Sequence, residues 1–348
     1  MAKEGEYLYG VTGMSEGKSF GPIGIGERGD EVYIVPYQNI AAVISNSPII
    51  DYKSLTRDVV ARYLIAHQTA IEQVMKQHTI IPFKFGTMVE NTEELKAIMA
   101  RGYPKFTCAL REMQGKIELD IIALWNKDII FQDIAGEPEV KQIREAIGQN
   151  ASDQNKIELG RMVAASLNKR KMEFAQEILC KFDRFAEDIC VHEVMSDGMI
   201  ANSSLLIRKD NEKRLDSEIS ELDRKYEGRV NFRCVGPLPP YSFSVIEVKK
   251  IGFDTVEDAR SELELPQEAT LNEIKPAFRR LAKEYHPDKN PNPDAQSKFQ
   301  AIQEAYDVLA EYCQDGKCSF KKEDFEDSFV IRMLRVENGA YKPQGIKS

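Results

Sequence analysis

Apolar and polar positions along the first 126 residues alternate in short runs, and longer stretches of helical periodicity separate those runs. The short runs are rich in β-branched and aromatic residues and predict strands. They lie at residues 6–13, 31–37, 40–46, 80–86 and 117–126. The longer stretches predict helices over residues 55–78 and 91–113. The first of these helices has a broad apolar arc, which is typical of a helix buried on a sheet.

This order of elements predicts an α+β domain of ferredoxin-like type for residues 1–126, with two helices on one face of a mostly antiparallel sheet. The second helix opens with Asn91 and Glu94, a helix-capping pair. Pro82 predicts that its strand is an edge or a strand end, and Gly86 allows a turn after it. The glycine-rich stretch between the first two strands predicts a loop.

Residues 127–252 predict a second α/β sandwich domain with its own mixture of elements. The predicted strands are residues 128–134, 203–209, 230–236 and 241–250. The predicted helices are residues 138–148, 155–190 and 210–226. We see no convincing sequence identity between this half and the first.

Residues 253–315 predict an all-α module built on a helical hairpin. Its first helix covers residues 255–265, and its second starts after the capping box of Thr270 and Glu273. Pro287 disfavours helix at His286 and predicts a turn. The third helix starts after Asn292, at a proline. The apolar faces of the second and third helices are formed by Ile274, Phe278, Leu281, Tyr285, Phe299, Ile302, Tyr306 and Leu309.

The tail, residues 316–348, contains a partly alternating apolar run, for which a returning strand and a docked helix are both open. We favour a strand at residues 328–336 that pairs with an edge of the second domain. The helical module would then be an insertion in the chain.

The second helix of this module has a basic face, formed by Lys275, Arg279, Arg280 and Lys283. Residues 275–289 contain five positive and two negative side chains, a net charge of +3, whereas the whole chain carries −9. A local basic face of this kind attracts an acidic partner, and salt weakens that attraction.

The segments EIKPAFRRLAKEYHPDKN and KFQAIQEAYDVL, with the tripeptide His286-Pro287-Asp288 between their helices, resemble a J-domain. The resemblance implies that the tripeptide stimulates ATP hydrolysis by a DnaK-type chaperone. It also implies that the tripeptide and the basic face both contact that chaperone. The first helix reads DARSELEL and lacks the usual Tyr-Tyr-x-x-Leu-Gly-Val pattern. Pro276 lies inside the second helix, where it costs roughly 3 kcal/mol or kinks the helix. The alternative interpretation is an ordinary turn between two helices with a solvated face.

A second resemblance covers nearly all of residues 6–250. Four segments carry it, at residues 6–13 (EYLYGVTG), 66–95 (AHQTAIEQVMKQHTIIPFKFGTMVENTEEL), 160–171 (GRMVAASLNKRK) and 235–243 (VGPLPPYSF). They resemble the gas vesicle protein GvpL/GvpF family. The resemblance implies an accessory role in gas vesicle assembly, with the hydrophobic shell protein and other accessory proteins as partners. It implies no enzymatic activity.

Composition narrows the remaining possibilities. The chain is acidic, with a pI near 5.3 and 30% charged residues, which argues against nucleic acid as its main partner. We expect no membrane span, no signal peptide and a cytoplasmic protein at the gas vesicle. We expect the six cysteines to be free thiols, and we regard a metal site at Cys313 and Cys318 as the weaker alternative.

Candidate chemistry elsewhere is sparse. The run Gly21-Pro22-Ile23-Gly24-Ile25-Gly26 has the wrong glycine order for a dinucleotide site. His67 lies on the apolar arc of a helix and predicts a core histidine. We therefore expect no cofactor, no metal and no enzyme. The leading hypothesis is an assembly factor that recruits a DnaK-type chaperone to the shell protein. The alternative is a general co-chaperone for unfolded clients.

Overall fold

The computed structural model describes residues 3–13, 17–26, 28–147, 153–286, 293–313, 317–325, 328–337 and 340–343. These residues form a mixed α+β fold in which every sheet is antiparallel and a helical region lies near the C-terminus. The broad fold class predicted from the sequence is therefore confirmed. The ferredoxin-like arrangement predicted for residues 1–126 differs from the structure in the position of its two helices.

The first sheet takes the strand order β2-β3-β4-β1-β5, and β6 also pairs with β1. Its strands are β1 (Glu4–Thr12), β2 (Ser19–Gly21), β3 (Val32–Tyr37), β4 (Ile40–Pro48), β5 (Ile80–Pro82) and β6 (Met88–Val89). The three strands predicted near the N-terminus are present. The strand that ends at Pro82 lies at the end of this order, as predicted. The short strands β2 and β6 were not predicted.

Two helices pack on opposite faces of this sheet: α1 (Arg57–Met75) and α2 (Thr92–Met113). Tyr7 and Tyr9 of β1 belong to the same core cluster as α1, whereas Leu8 between them packs with α2. Successive side chains of a strand point to opposite faces, so the two helices cannot share one face. Our prediction that they do is wrong. Asn91 caps α2 as predicted, since its side chain accepts hydrogen bonds from two backbone N–H groups.

A second sheet takes the order β10-β7-β9-β8. Its strands are β7 (Lys116–Trp125), β8 (Asp188–Val191), β9 (Met199–Arg208) and β10 (Val230–Leu238). The intervening helices are α3 (Lys127–Ala135), α4 (Pro138–Ile147), α5 (Asp153–Phe182) and α6 (Glu212–Tyr226). Helices α5 and α6 pack on one face of this sheet. We expected β7 in the first sheet, but it pairs with β9 and β10.

Two further predictions in this region are corrected. Residues 128–134 were predicted as a strand but form most of α3, because Asn126 caps a helix and Ile130 and Ile134 are buried at helical spacing. The helix predicted over residues 155–190 ends at Phe182, and β8 follows it. The shorter helix allows β8 to extend the sheet beside β9.

A third sheet joins β11 (Val245–Ile251), β14 (Ser328–Glu337) and β15 (Ala340–Pro343). Strand β14 returns antiparallel to β11, so the predicted strand at residues 328–336 is confirmed. The segment between β11 and β14 contains the remaining elements. They are α7 (Phe253–Glu262), β12 (Glu268–Thr270), α8 (Leu271–Glu284), α9 (Pro293–Tyr312) and β13 (Lys317–Ser319), with β12 paired to β13.

The cysteine prediction is wrong for one pair. Cys313 and Cys318, whose Cα atoms are 5.5 Å apart, form a disulfide at the end of α9. The remaining four cysteines, at positions 108, 180, 190 and 234, are free thiols. Among the described residues, no helix has both the length and the apolar character needed to cross a bilayer.

Candidate chaperone-interaction site

Helix α8 carries the basic face, and a capping box fixes where the helix begins. The Glu273 carboxylate accepts hydrogen bonds of 2.8 Å from both the backbone N–H and the hydroxyl of Thr270. These contacts satisfy polar groups that a helix N-terminus leaves without intrahelical partners. The capping box predicted from the sequence is therefore present.

One face of α8 is buried against α7 and α9. Ile274 is fully buried and Leu281 is nearly so, both in a core shared with α7 and α9. Phe278 stacks on Tyr306 of α9 with ring centroids 4.4 Å apart. This packing fixes the rotation of α8 about its own axis, and it therefore determines which side chains point to solvent.

The four basic side chains lie on the opposite face of α8. Lys275, Arg279, Arg280 and Lys283 are all exposed. Arg280 forms an ion pair with Glu264, which partly offsets its charge. The structure thus brings the four predicted residues together on one solvent-facing surface. Their role as chaperone contacts stays a prediction.

Only the first residue of the tripeptide lies within the described part of the chain. The His286 ring packs edge-on against Phe299 of α9, with centroids 5.6 Å apart and planes at 75°. Pro287 and Asp288 fall outside the described residues, and α9 begins at Pro293. His286 is therefore positioned between the end of α8 and the first turns of α9.

Pro276 does not end α8. The helix runs from Leu271 to Glu284 with this proline inside it. Proline has no backbone N–H, so the carbonyl of Asn272, one turn earlier, loses a helical hydrogen bond. Pro276 itself is exposed, so its ring does not disturb the core of the module.

Strand β14 joins the helical module to the rest of the protein. Phe329 and Ile331 point into the core formed with α2 and the first sheet, whereas Val330 points into the core of α7, α8 and α9. One strand therefore forms a wall of both cores. The module is packed against the preceding region through this wall.

Three basic side chains reinforce this junction. Arg101 of α2 donates hydrogen bonds of 2.9 and 3.1 Å to the carbonyls of Glu311 and Tyr312, at the C-terminal end of α9. A cation at these carbonyls complements the negative end of the helix dipole. Lys105, one turn along α2, donates to the Ile331 carbonyl at 2.6 Å. Arg332 forms an ion pair with the Glu311 carboxylate.

Sequence reasoning missed these anchoring residues. Arg101 and Lys105 are spaced by four, which places them on the same face of α2. That spacing is also common on solvated helices, and it does not identify a contact made 210 residues later in the chain. The signal was present but not specific.

His67 is the core histidine predicted from the sequence. It is 4% exposed, and its Nδ1 lies 3.0 Å from the Tyr7 hydroxyl. Burial lowers the pKa of His67 to about 4. Within the described residues, no group of three or more histidine, cysteine or acidic side chains could hold a metal ion.

Comparison with known proteins divides the chain in two. The family described as gas vesicle synthesis protein GvpL/GvpF matches residues 5–245, and the DnaJ domain matches residues 261–314. The second match begins near the end of α7, the helix whose sequence departs from the J-domain pattern. The GvpL/GvpF and J-domain families are non-enzymatic structural and co-chaperone proteins.

Individual relatives agree with this division. A gas vesicle protein F from Streptomyces is 26% identical over 244 residues, which cover 68% of this chain and 98% of that protein. Its counterpart from Microcystis aeruginosa is 26% identical over 188 residues, covering 53% of this chain and 77% of that protein. A chaperone protein DnaJ from Caldicellulosiruptor saccharolyticus is 51% identical over 65 residues, but this covers only 17% of either protein.

The fold has a counterpart among solved structures. The crystal structure of GvpF from Anabaena superposes with a TM-score of 0.58 at 22% identity. The superposition covers 69% of this chain and 97% of the Anabaena protein. The likeness shows that about two thirds of this chain shares the fold of that protein.

Proposed function

This chain belongs to the gas vesicle synthesis protein GvpL/GvpF family and also matches the DnaJ domain, and from that premise we propose that it is a gas vesicle assembly factor with a built-in chaperone-recruiting module. The family region would bind the hydrophobic shell protein. The helical module would recruit a DnaK-type chaperone to the same place, at the gas vesicle in the cytoplasm.

We propose four parts for the chain. They are an N-terminal α+β domain at residues 1–126, whose last strand, β7, also pairs into the sheet of the next part, a second α/β domain at 127–252, the J module at 253–315 and the tail at 316–348. Strand β14 of the tail pairs with β11 and packs on α2, so it stabilises the family region. The J module is thus proposed to be an insertion before the last strands of that region.

The observation that carries the proposal is the sharing of β14 between the two cores. Because the module is packed on the family region, a client held by that region would lie at a limited distance from the bound chaperone. Covalent linkage of two binding sites in this way replaces a second diffusional encounter by an intramolecular one.

The proposed chaperone contacts are His286, Pro287, Asp288 and the basic face of α8. The exposure of all four basic side chains supports the proposed role of the basic face. A net positive face would attract an acidic surface of the chaperone, and the attraction would weaken as salt rises.

The test uses the full chain, because removal of residues beyond 250 would take β14 out of the core and expose Ile246. We expect His286→Gln to abolish stimulation of ATP hydrolysis by a purified DnaK-type chaperone. The same variant should still capture the shell protein in a pull-down. The Asp258→Asn variant, on the exposed face of α7, is the control and should keep both activities.

Undiminished stimulation by His286→Gln would contradict the proposed role of the tripeptide. Loss of shell-protein capture together with stimulation would contradict the proposed division of labour. If the wild-type chain prevented aggregation of unrelated denatured proteins as well as it captured the shell protein, the general co-chaperone hypothesis would replace ours.

A further inference from the structure

Strand β11 has one edge that is only partly paired. Its other edge pairs with β14 along its whole length. On the partly paired edge, the Lys84 N–H donates to the Ile246 carbonyl at 2.8 Å, and Phe83 forms a parallel bridge with Ile246. The chain then turns away at Gly86, whose φ is +84°, and β6 pairs with β1 instead.

The departure of that chain leaves Val248 without a neighbour on this edge. Backbone groups of alternate residues in a strand point to the same side. The backbone N–H and C=O of Val248 therefore point to the same side as those of Ile246, away from β14. In the described part of the chain, no backbone group pairs with Val248 on this side.

A groove of about 400 Å³ lies beside this edge. Its volume is within the range of ligand sites, roughly 300–1,000 Å³. Its apolar lining comes from Ile49, Phe85, Met88, Val89, Val248 and Phe329. A backbone edge next to an apolar floor is the arrangement that accepts an added strand.

The rim of the groove presents positive charge. Lys84, Lys249 and Lys250 have side chains that are 43–56% exposed, whereas their partners Glu94 and Glu247 are only 15% and 11% exposed. The third acidic residue of the lining, Glu90, is 47% exposed. The lining thus holds three lysines and three glutamates, with no net formal charge, but three ammonium groups and only one carboxylate are more than 40% exposed.

We infer that this groove binds an extended segment of a partner protein that alternates apolar and acidic residues and adds as a strand to β11. Its apolar side chains pack on Phe329 and Val89, and its backbone pairs with Val248. Its carboxylates face the rim lysines, and this charge complementarity favours an acidic segment over a basic one. The inference does not depend on the function proposed above.

The probe for this site is a fluorescein-labelled peptide, Glu-Val-Glu-Val-Glu-Val-Gly, whose binding to the full chain is followed by fluorescence anisotropy. We expect saturable binding that weakens in 0.5 M salt. A peptide with lysine in place of glutamate should bind at least about tenfold more weakly, as should one N-methylated at alternate residues. The first change reverses the charge, and the second removes backbone donors.

Two pairs of protein variants, each a test with its control, probe the same contacts. Val248→Pro removes the backbone donor that faces the groove while leaving the ladder with β14 in place, and it should weaken binding about tenfold. Val248→Thr keeps that donor and should bind normally. Lys249→Glu should weaken binding, whereas Lys213→Glu, on the exposed face of α6, should not.

Equal binding by folded Val248→Pro and wild type would overturn strand addition at β11. Equal binding of the glutamate and lysine peptides would overturn the acidic partner. If light scattering showed that the chain dimerises and that Val248→Pro makes it monomeric, a second copy of this chain would occupy the edge, and the proposed partner would be wrong.

Discussion

Replacing Glu118 by glutamine should change how the stability of the protein depends on pH. Glu118 lies on β7 and is 2% exposed. Its carboxylate accepts hydrogen bonds of 2.8 Å from the backbone N–H and the hydroxyl of Ser242. No lysine or arginine of the described residues forms an ion pair with it. The pKa of Glu118 is therefore raised from 4.5 to about 8, mainly by burial and in part by nearby Asp120.

The sign of the effect follows from linkage. The folded protein holds the Glu118 proton up to about pH 8, whereas the unfolded chain releases it near pH 4.5. The stabilisation by this proton is fully present below pH 4.5 and is lost as the pH rises towards 8. Each pKa unit corresponds to about 1.4 kcal/mol, so between pH 5 and pH 8 the wild type loses up to about 3–4 kcal/mol through this group.

Glutamine cannot ionise, and its amide can make both hydrogen bonds to Ser242. The Glu118→Gln variant should therefore gain about 3–4 kcal/mol relative to wild type between pH 5 and pH 8. Urea unfolding followed by fluorescence reports this directly, because Trp125, the single tryptophan, lies on the same strand. Glu173→Gln, an exposed position on α5, is the control and should show no such gain. Parallel pH profiles for wild type and Glu118→Gln would refute the reasoning.

Three further substitutions test the packing. Pro276→Ala should raise the unfolding free energy by up to about 3 kcal/mol, measured in urea, and a decrease would mean that the proline is not a cost to α8. Gly10→Ala should destabilise by about 1–3 kcal/mol, because the new Cβ would lie 2.7 Å from the Ile81 carbonyl oxygen; an unchanged melting temperature would contradict this contact. Arg332→Met should cost about 1–3 kcal/mol by leaving the Glu311 carboxylate without its ion-pair partner, and Glu311→Gln in the same background should recover part of the loss.

The sequence was most informative where one local signal decides the structure. Thr270 and Glu273 marked the start of α8, and Asn91 marked the start of α2. The apolar run of β14 was predicted as a strand. Its two faces pack on different cores, Phe329 and Ile331 on one and Val330 on the other, and this explains why three apolar residues follow one another there.

It was least informative where burial hides periodicity. Residues 128–134 are apolar and β-branched, so they suggested a strand, but the cap at Asn126 and the spacing of Ile130 and Ile134 give α3. Strand β1 is buried on both faces, and its nearly continuous apolar run was a signal for layers on both sides of the sheet, but that run does not say which helix covers which face. The contact of Arg101 with the end of α9 depends on tertiary structure that no local pattern records.

The most direct test of the central claim measures how much DnaK-type chaperone is retained on immobilised shell protein, in ATP, as this chain is added. If one chain holds the client and recruits the chaperone, retention should rise with the amount of wild-type chain. It should not rise with His286→Gln, although equal amounts of both chains bind the shell protein. Equal retention of the chaperone with the two chains, or no retention with either, would contradict the account.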